Sequence, residues 1–325
     1  MQNTITNNLL DMVGHTPMLE VTKMDTGKCR LFLKLENQNP GGSIKDRVGL
    51  MMVSEAERQG VIKPGDRIIE ATAGNTGLGL ALAARLKGYH LTLVIPDKMS
   101  EEKLCHLKSM GVEIIITRSD VTKGHPDYYQ DLARSIAEKT GAYFINQFEN
   151  SANPLAHELT TGPEIWEQMQ HNVDAVVVGA GSTGTLTGLT HFFQKTGGKT
   201  RMVLADPAGS VLADYVNTGI LHEVSGNWLV EGIGEDFIPK IADFSLTSQA
   251  YSITDAEAFA AAHDLLAHEG ILAGSSSGTL LAAALRYCRQ SVTPQRVVTL
   301  VCDSGNKYLS KMYNPTWLAN HGISL

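Results

Sequence analysis

The stretch of sequence that decides the fold is Ala175-Val-Val-Val-Gly-Ala-Gly-Ser-Thr-Gly-Thr185. It begins with a short apolar run rich in valine, Ala175–Gly179, which predicts a strand buried on both faces of a sheet. The glycines and hydroxyl side chains after it lead into Leu186–Gln194, a segment predicted to be helical. A buried strand, a glycine-rich turn and a helix in this order are the building unit of a parallel α/β sheet.

The same unit recurs in both directions along the chain. Further buried strands are predicted at Arg67–Glu70, Leu91–Ile95, Glu113–Thr117, Tyr143–Ile145, Met202–Asp206 and Val297–Val301. Helices are predicted near Gly77–Lys87, Glu101–Met110 and Asp127–Lys139, and a capping box at Thr254 and Glu257 opens another that ends near His268. The stretch from Pro207 to Ile253 has an irregular pattern rich in glycine and proline, which we interpret as a long functional segment.

Composition narrows the class of protein. At 325 residues the chain is long for a single core, so we expect two α/β domains. The apolar fraction of 43% and the charged fraction of 19% are those of an ordinary globular protein. A net charge of −7, without any block of lysine and arginine, argues against nucleic acid or an anionic membrane surface as a partner.

Neither a membrane span, nor a signal peptide, nor a disulfide framework is predicted. The longest apolar β-like runs are about five residues, whereas a spanning helix needs ~20. The N-terminus, MQNTITNNLL, lacks the basic and apolar regions of a signal peptide. Four cysteines without a C-x-x-C pair predict free thiols in a reducing cytoplasm: Cys29, Cys105, Cys288 and Cys302.

The turn after the valine-rich strand allows more than one kind of phosphate site. Gly179, Gly181 and Gly184 match the G-x-G-x-x-G fingerprint of dinucleotide-binding folds, and Asp206 ends the next predicted strand, as a ribose-binding acid would. Every phosphate-binding interpretation shares a row of backbone N–H groups at a helix N-terminus, which binds an anion. Hydroxyl side chains in the turn suit a single phosphate monoester: Ser182, Thr183 and Thr185. A plain strand-to-helix turn is the remaining alternative.

Four segments together resemble one family. They are Asn39-Pro-Gly-Gly-Ser-Ile-Lys-Asp-Arg47, Glu70-Ala-Thr-Ala-Gly-Asn-Thr-Gly77, Gly181–Thr185 and Gly274-Ser-Ser-Ser-Gly278. In this order, and over nearly the whole chain, they resemble the motifs of the fold type II pyridoxal-phosphate (PLP) enzymes. Within that group they are most similar to the cystathionine β-synthase and cysteine synthase family. The resemblance implies an α/β fold of the tryptophan synthase β type, with two domains that are each a mostly parallel sheet flanked by helices.

The resemblance also implies how the chain is organised. We expect a smaller, mobile N-terminal domain of residues 1–12 and 36–146 and a larger C-terminal domain of residues 13–35 and 147–325, with the active site between them. It further implies a cytoplasmic homodimer that acts on small amino-acid substrates with a thiol or sulfide.

By resemblance, Lys45 is the catalytic residue and the lysine that carries PLP. Taken alone it would be an exposed lysine at the start of a helix, but the two glycines and the serine before it permit a close approach of backbone to a ligand. A lysine at the positive end of a helix and near other cations has a lowered amine pKa, as Schiff-base chemistry needs. The resemblance assigns further contacts with the cofactor to Asn75, Gly181, Ser182, Thr183, Gly184, Thr185 and Ser276.

Ser276 bears on the type of reaction. By itself it is one of three hydroxyls before a helix and would serve as an N-cap. The family places this serine against the pyridine nitrogen of the cofactor, and a neutral hydroxyl does not hold that nitrogen protonated. The ring is then a weaker electron sink, which favours loss of a β-substituent over racemisation or transamination.

The loop after Arg67–Glu70 offers N–H and O–H donors at a helix N-terminus, where an anion is favoured. By resemblance the residues that bind the substrate carboxylate are Thr72, Ala73, Gly74, Thr76 and Gln147. Ala73 stands where the family usually has serine, and Glu158 stands where tyrosine is common. Both departures bear on the choice of substrate.

Two branches of the family remain as alternatives. Three segments favour the cystathionine β-synthase branch, in which L-serine reacts with L-homocysteine: Glu231–Pro239, Asp206–Ser210 and Cys302–Tyr313. The cysteine synthase branch, with O-acetylserine and sulfide, is the alternative. A dehydratase, an NAD-dependent dehydrogenase and a catalytically silent partner protein are further possibilities. We expect no metal, since no H-E-x-x-H or C-x-x-C spacing occurs, and no haem, since the chain begins and ends at the family's catalytic core.

Overall fold

The computed structural model describes residues 5–72, 74–97, 99, 101–121, 124–221 and 226–325, with the backbone alone for 101–103. This part of the chain forms the strands β1 (Met18–Glu20), β2 (Arg30–Lys34), β3 (Arg67–Ala71), β4 (His90–Pro96), β5 (Glu113–Thr117), β6 (Tyr143–Phe144), β7 (Ala175–Gly179), β8 (Arg201–Pro207), β9 (Thr247–Ile253) and β10 (Arg296–Leu300).

The same residues form the helices α1 (Lys45–Arg58), α2 (Asn75–Lys87), α3 (Glu101–Ser109), α4 (Tyr129–Thr140), α5 (Ala152–Ala156), α6 (Gly162–Gln168), α7 (Gly184–Lys195), α8 (Leu212–Thr218), α9 (Asp255–Glu269), α10 (Ser275–Gln290) and α11 (Pro315–Asn320). A π-helical turn, His157–Thr161, separates α5 from α6. Short 3-10 helices occur at Leu9–Met12, Glu36–Gln38 and Gly305–Tyr308.

The chain divides into two compact units. Unit 1 comprises Met1–Val13 and Lys45–Ala156, and unit 2 comprises Gly14–Ile44 and His157–Leu325. The predicted boundaries differ from this division at three places, the first being Val13, which lies in unit 1. Residues 36–44 belong to unit 2 because Asn39 accepts a hydrogen bond from the N–H of Gly14 and Ile44 donates one to the carbonyl of Cys302. Residues 147–156 belong to unit 1 because α5 packs on α1.

Unit 1 is built around a parallel sheet with the strand order β5-β4-β3-β6. The central strand β3 is buried on both faces: Ile68 packs into the cluster that includes α1 and α2, and Ile69 packs into the cluster that includes α4. Parallel strands covered by helices on both faces read as continuous apolar runs, which is why β3 was recognisable in the sequence.

Unit 2 is built around a larger sheet with the strand order β1-β2-β10-β7-β8-β9. Its strands pair in parallel, apart from the antiparallel pair β1 and β2. The centre of its core is made of fully buried residues of β7 and β10, among them Val176, Val177 and Val298. Both sheets confirm the predicted α/β class with mostly parallel sheets flanked by helices.

The predicted elements differ most from the structure between residues 207 and 253, and β1 and β2 were not predicted. Residues 207–253 were interpreted as irregular, but they contain α8 and β9. That interpretation was wrong because β9 is an edge strand of largely polar sequence and alternating exposure, so it lacks the apolar run of a central strand. Elsewhere β5 and β7 have the predicted bounds, and α9 begins with the predicted capping box of Thr254 and Glu257.

All four cysteines are free; Cys29 and Cys288 are buried, whereas Cys105 is exposed. In the part of the chain that the structure describes, no helix combines the length and the apolar character needed to cross a membrane.

Candidate active site

The structure places the predicted site residues in both units. Lys45, Thr72, Gly74, Asn75, Thr76 and Gln147 lie in unit 1, whereas Gly181, Ser182, Thr183, Gly184, Thr185 and Ser276 lie in unit 2. Ala73, the remaining predicted contact with the substrate, lies outside the described residues.

In unit 1 the predicted carboxylate site forms at one edge of the sheet. The loop from Thr72 to Thr76 follows β3, and Gln147 follows β6, its parallel neighbour. Because carboxyl ends of neighbouring parallel strands meet at one edge, the two segments come together, and Thr76 donates a hydrogen bond to Gln147 Oε1 at 2.8 Å. Both side chains are buried, so this contact is shielded from water.

Two glycines set the position of Lys45 within unit 1. Lys45 is the first residue of α1, and a Cβ atom on Gly79 in α2 would lie only 2.2 Å from its carbonyl oxygen. A Cβ atom on Gly49 would lie 2.3 Å from the carbonyl carbon of Gly79. The helices α1 and α2 therefore touch backbone to backbone, which brings the first turn of α1 against the first turns of α2, where Asn75 is the first residue.

Glu70, the second-last residue of β3, was not among the predicted site residues. Its side chain is fully buried, and neither carboxylate oxygen has a hydrogen-bond partner among the described residues. Burial raises the pKa of Glu70 to about 8, although nearby N–H groups of Gln147, Ala71 and Asn146 favour the charged form. Glu70 lies in the segment Glu70–Gly77, but the sequence of that segment does not indicate that its carboxylate is buried.

In unit 2 the turn between β7 and α7 is shaped for an anion. Among the described residues, the N–H groups of Thr183, Gly184 and Thr185 donate to no other protein group. Thr183 has φ +66°, a left-handed conformation that is costly for threonine and tends to occur at functional sites. A Cβ atom on Gly181 would lie 2.9 Å from the carbonyl oxygen of Gly232, so only glycine fits there without a shift. Free N–H groups at a helix N-terminus form the cradle that a phosphate needs.

The three serines that open α10 differ in what their hydroxyls do. Ser275 accepts a hydrogen bond from the N–H of Glu231 at 3.0 Å, and Ser277 accepts one from the N–H of Cys302 at 2.9 Å. The hydroxyl of Ser276 has no hydrogen-bond partner among the described residues, although the side chain is only 5% exposed. Two hydroxyls are thus used to hold the protein together, and that of Ser276 remains available to a ligand.

This serine lies at the same sheet edge as the phosphate loop. The loop follows β7, and the segment that follows its parallel neighbour β10 contains Asp303, whose carbonyl accepts a hydrogen bond from the N–H of Gly274. Gly274 is the N-cap of α10, so the start of this helix is tied to the carboxyl end of β10.

Asp206 does not serve a dinucleotide in this structure. Its side chain is fully buried, and its Oδ2 accepts a hydrogen bond from the N–H of Ala213 in the first turn of α8 at 2.8 Å. Burial raises the pKa of Asp206 to about 7. A ribose-binding carboxylate must reach the ligand with its oxygens, and this one caps a helix instead.

Glu158, which lies in the π-helical turn His157–Thr161, is part of a charge cluster with two residues of α7. It pairs with Lys195, and its other oxygen lies 3.3 Å from Nδ1 of His191. The Nε2 atom of His191 lies 3.3 Å from Asp243. The carboxylate of Glu158 is therefore compensated by neighbours within unit 2.

Comparison with known proteins places this geometry in a family. The profile of the family described as pyridoxal-phosphate dependent enzyme matches residues 9–303. The chain belongs to this family. PLP is therefore the cofactor, and among the described residues no group of three or more His, Cys, Asp or Glu side chains could hold a metal ion.

Individual relatives fall in two branches of the family. Cystathionine β-synthase of Dictyostelium discoideum is 39% identical over 321 residues, which cover 98% of this chain and 64% of that protein. Cysteine synthase A of Escherichia coli strain K12 is 39% identical over 303 residues, which cover 92% of each chain. The crystal structure of the O-acetylserine dependent cystathionine β-synthase from Helicobacter pylori matches with a TM-score of 0.86 at 33% identity, covering 95% of this chain and 98% of that one.

The chain is thus a member of the cystathionine β-synthase and cysteine synthase family, as the sequence motifs implied. It spans less than two thirds of the length of the Dictyostelium discoideum protein but nearly all of cysteine synthase A. The residues present fit PLP: the cradle at Thr183–Thr185 suits its phosphate, and the unengaged hydroxyl of Ser276 suits its ring nitrogen.

Proposed function

We propose that this protein catalyses PLP-dependent β-replacement, in which a thiol takes the place of the β-substituent of a serine derivative. The single observation that carries this proposal is the hydroxyl of Ser276, buried and without a partner among the described residues. A neutral group at the ring nitrogen leaves the cofactor a weak electron sink, which suits departure of a β-substituent.

Bound PLP supplies an electron-withdrawing ring that acidifies the Cα–H bond of the amino acid. In our proposal Lys45 carries the cofactor, then removes the Cα proton as general base and returns it after the thiol has added. Thr72, Gly74, Thr76 and Gln147 bind the substrate carboxylate, with Ala73 between them in sequence. Their donors orient the Cα–H bond towards Lys45.

The remaining predicted residues hold the cofactor. Gly181, Ser182, Thr183, Gly184 and Thr185 bind its phosphate through backbone N–H groups and hydroxyls. Asn75 contacts the phenolic oxygen of the ring and Ser276 its nitrogen.

We propose L-serine as the donor and L-homocysteine as the acceptor, which is cystathionine β-synthase activity. The acidic segment Glu231–Pro239 supports this choice, and Glu231 is held in place there by an ion pair with Lys311. Cysteine synthase activity, with O-acetylserine and sulfide, is the alternative, and it is supported by the match with cysteine synthase A over 92% of both chains. The Helicobacter pylori relative supports testing acetylserine with homocysteine as well.

The decisive assay supplies serine and O-acetylserine, each with homocysteine and with sulfide, to the purified holoenzyme. Turnover of serine with homocysteine as the fastest pair is the expected result. Turnover only of acetylserine with sulfide would replace the proposal by cysteine synthase. Pyruvate formation without any acceptor would identify a dehydratase.

A second experiment tests the cofactor residue. Borohydride reduction followed by peptide mapping should place a pyridoxyl group on Lys45, and Lys45→Ala should take up no reducible label. A label on another lysine would contradict the assignment. A colourless protein stabilised by NAD would revive the dehydrogenase alternative.

We also propose a homodimer in the cytoplasm. Four free cysteines support a reducing compartment. Light scattering of the purified holoenzyme would test the assembly, with a mass of two chains as the expected result.

A further inference from the structure

His157 occupies a buried position between two threonine hydroxyls of unit 2. The imidazole is fully buried, its Nδ1 lies 2.9 Å from Thr161 Oγ1, and its Nε2 lies 3.1 Å from Thr185 Oγ1. Thr185 is the second residue of α7, directly after the turn that follows β7. A buried imidazole is therefore in direct contact with the proposed phosphate loop.

The backbone around His157 is unusual in a way that supports a function. His157 and Thr161 are the two ends of the π-helical turn between α5 and α6, and such turns occur frequently at functional sites. The turn is fastened to α7 through the ion pair of Glu158 with Lys195. Thr185 lies in the first turn of the same helix, so His157 and Thr185 are on two elements that are in contact.

The chemistry of a phosphate sets the direction of these hydrogen bonds. A phosphate oxygen only accepts, so the hydroxyl of Thr185 must donate its one hydrogen to the phosphate. The contact between Thr185 and His157 then requires an N–H on the imidazole, because the threonine oxygen can act there only as acceptor. A neutral imidazole that donates through Nε2 accepts through Nδ1, and Thr161 is placed to donate to it.

We propose that His157 is a positioning residue for the cofactor phosphate. Its Nε2–H donates to Thr185 Oγ1 and thereby turns the hydroxyl hydrogen of Thr185 towards the phosphate. The inference rests on the proposed function in one respect, that Thr185 binds the phosphate of PLP. Outer partners of this kind fix the orientation of the groups that touch a ligand, as they do around metal ions.

The test measures PLP affinity rather than turnover. Apoenzyme prepared with hydroxylamine is titrated with PLP for the wild type, His157→Asn, His157→Gln and Leu159→Ala. Asparagine reaches only the position of Nδ1, and glutamine reaches the position of Nε2 and can donate to Thr185. We expect His157→Asn to raise the dissociation constant for PLP about ten-fold or more, which corresponds to the loss of one charge-assisted hydrogen bond. His157→Gln should bring the dissociation constant most of the way back to that of the wild type.

Leu159→Ala is the matched control. Leu159 lies in the same π-helical turn but is 56% exposed, so its loss should leave the dissociation constant within about two-fold of the wild type. Equal weakening by all three substitutions would mean that any disturbance of the turn matters, and it would overturn the specific role of His157. So would a dissociation constant for His157→Asn equal to that of the wild type.

Thr185→Val separates this inference from the proposed function. If Thr185→Val weakens PLP binding and His157→Asn does not, the inference about His157 fails while the phosphate site stands. If neither has an effect, although Lys45 is labelled by borohydride, Thr185 is not a phosphate ligand and the inference also fails. If wild-type protein takes up no PLP at all, the proposed function fails first.

A measurement on the unmodified holoenzyme covers the case in which a variant does not fold. Histidine labelled with ¹⁵N reports which ring nitrogen carries hydrogen, and ³¹P resonance reports the cofactor phosphate. We expect hydrogen on Nε2 of His157, and a ³¹P signal that shifts in His157→Asn but not in Leu159→Ala. A holoenzyme with hydrogen on Nδ1 alone would overturn the proposal.

Discussion

Thr76 donates a hydrogen bond to Gln147 Oε1 at 2.8 Å, and both side chains are almost completely buried. The contact decides which part of Gln147 can meet an anion. With its oxygen engaged by Thr76, only the N–H groups of the Gln147 amide remain to donate to a carboxylate. The hydroxyl of Thr76 thus determines that Gln147 acts as a hydrogen-bond donor in the proposed carboxylate site.

We expect Thr76→Val to weaken binding of the amino-acid donor. Valine leaves Oε1 of Gln147 buried without its donor, and the amide is then free to turn its oxygen towards the substrate carboxylate. The KM for the donor should rise about ten-fold or more, while the absorbance of bound PLP stays unchanged. Thr76→Ser keeps the hydroxyl and should stay near wild type. An unchanged KM in the valine variant would show that Thr76 does not orient Gln147.

The three serines of α10 allow a comparison within one helix turn. Alanine at Ser275 or Ser277 removes the acceptor for the N–H of Glu231 or of Cys302, so the free energy of unfolding should fall by ~1–3 kcal/mol in each case. Alanine at Ser276 removes no hydrogen bond between described residues, so stability of the apoenzyme should change by less than ~0.5 kcal/mol.

The effect of Ser276→Ala should appear instead in the holoenzyme, as a shifted absorbance of bound PLP and a lower kcat. Urea unfolding of the apoenzymes and spectra of the holoenzymes measure the two effects separately. If Ser276→Ala destabilised the apoenzyme as much as Ser277→Ala, the hydroxyl of Ser276 would have a structural task and the argument for β-replacement would lose its main support.

Glu70 should make stability depend on pH. Burial raises its pKa from 4.5 to about 8, so in the folded protein it stays neutral while the unfolded chain ionises. The stability that neutral Glu70 contributes is fully present below pH 4.5, falls as pH rises, and is lost once pH reaches about 8. Over that window the slope is ~1.4 kcal/mol per pH unit.

Glu70→Gln removes this titration, so the unfolding free energy of the wild type should fall relative to that of the variant between pH 5 and pH 8. Urea unfolding of both proteins across this range gives the difference. Glu55→Gln is the control, because side-chain hydrogen bonds from Arg58 and Gln59 lower the pKa of Glu55 to about 2 and it does not titrate in this window. Parallel profiles for wild type and Glu70→Gln would show that Glu70 is ionised in the folded protein.

A strand that is covered on both faces of its sheet can be predicted from its apolar run. Ala175–Gly179 reads as a strand because both faces are covered, and β7 has the predicted bounds. The edge strand β9 was missed because one of its sides is exposed and its sequence, Thr-Ser-Gln-Ala-Tyr-Ser-Ile, carries polar residues that give no apolar run. The spacing of apolar residues in a sequence reflects which side chains are buried. A strand with few buried side chains is therefore hard to predict.

The sequence motifs identify the residue types of the site. Which of several similar residues is free to bind a ligand depends on tertiary contacts. The sequence offers three equivalent serines in Ser275–Ser277, and only tertiary contacts with residues 44 and 25 positions away set Ser276 apart. The link between His157 and Thr185, 28 positions apart, is invisible in the same way. Burial of Glu70 depends on helices that cover β3 from both faces, which no local pattern reports.

The close contact between α1 and α2 should make alanine destabilising at Gly79. Alanine in an exposed helix interior is ordinarily more favourable than glycine by ~1 kcal/mol. At Gly79 the sign should reverse, because the new Cβ would lie 2.2 Å from the carbonyl oxygen of Lys45 and backbone has to move. Overpacking of this kind typically costs 1–3 kcal/mol, so Gly79→Ala should lower the melting temperature.

Displacement of α1 also moves Lys45, its first residue, so Gly79→Ala should incorporate less pyridoxyl label on borohydride reduction than the wild type at equal PLP. Leu86→Ala, at a 47% exposed position of the same helix, is the control and should keep both the melting temperature and the label. Calorimetry and peptide mapping on the same preparations test the two effects together. A Gly79→Ala protein more stable than wild type would show that the helices have room to separate, and that glycine is not what holds Lys45 in place.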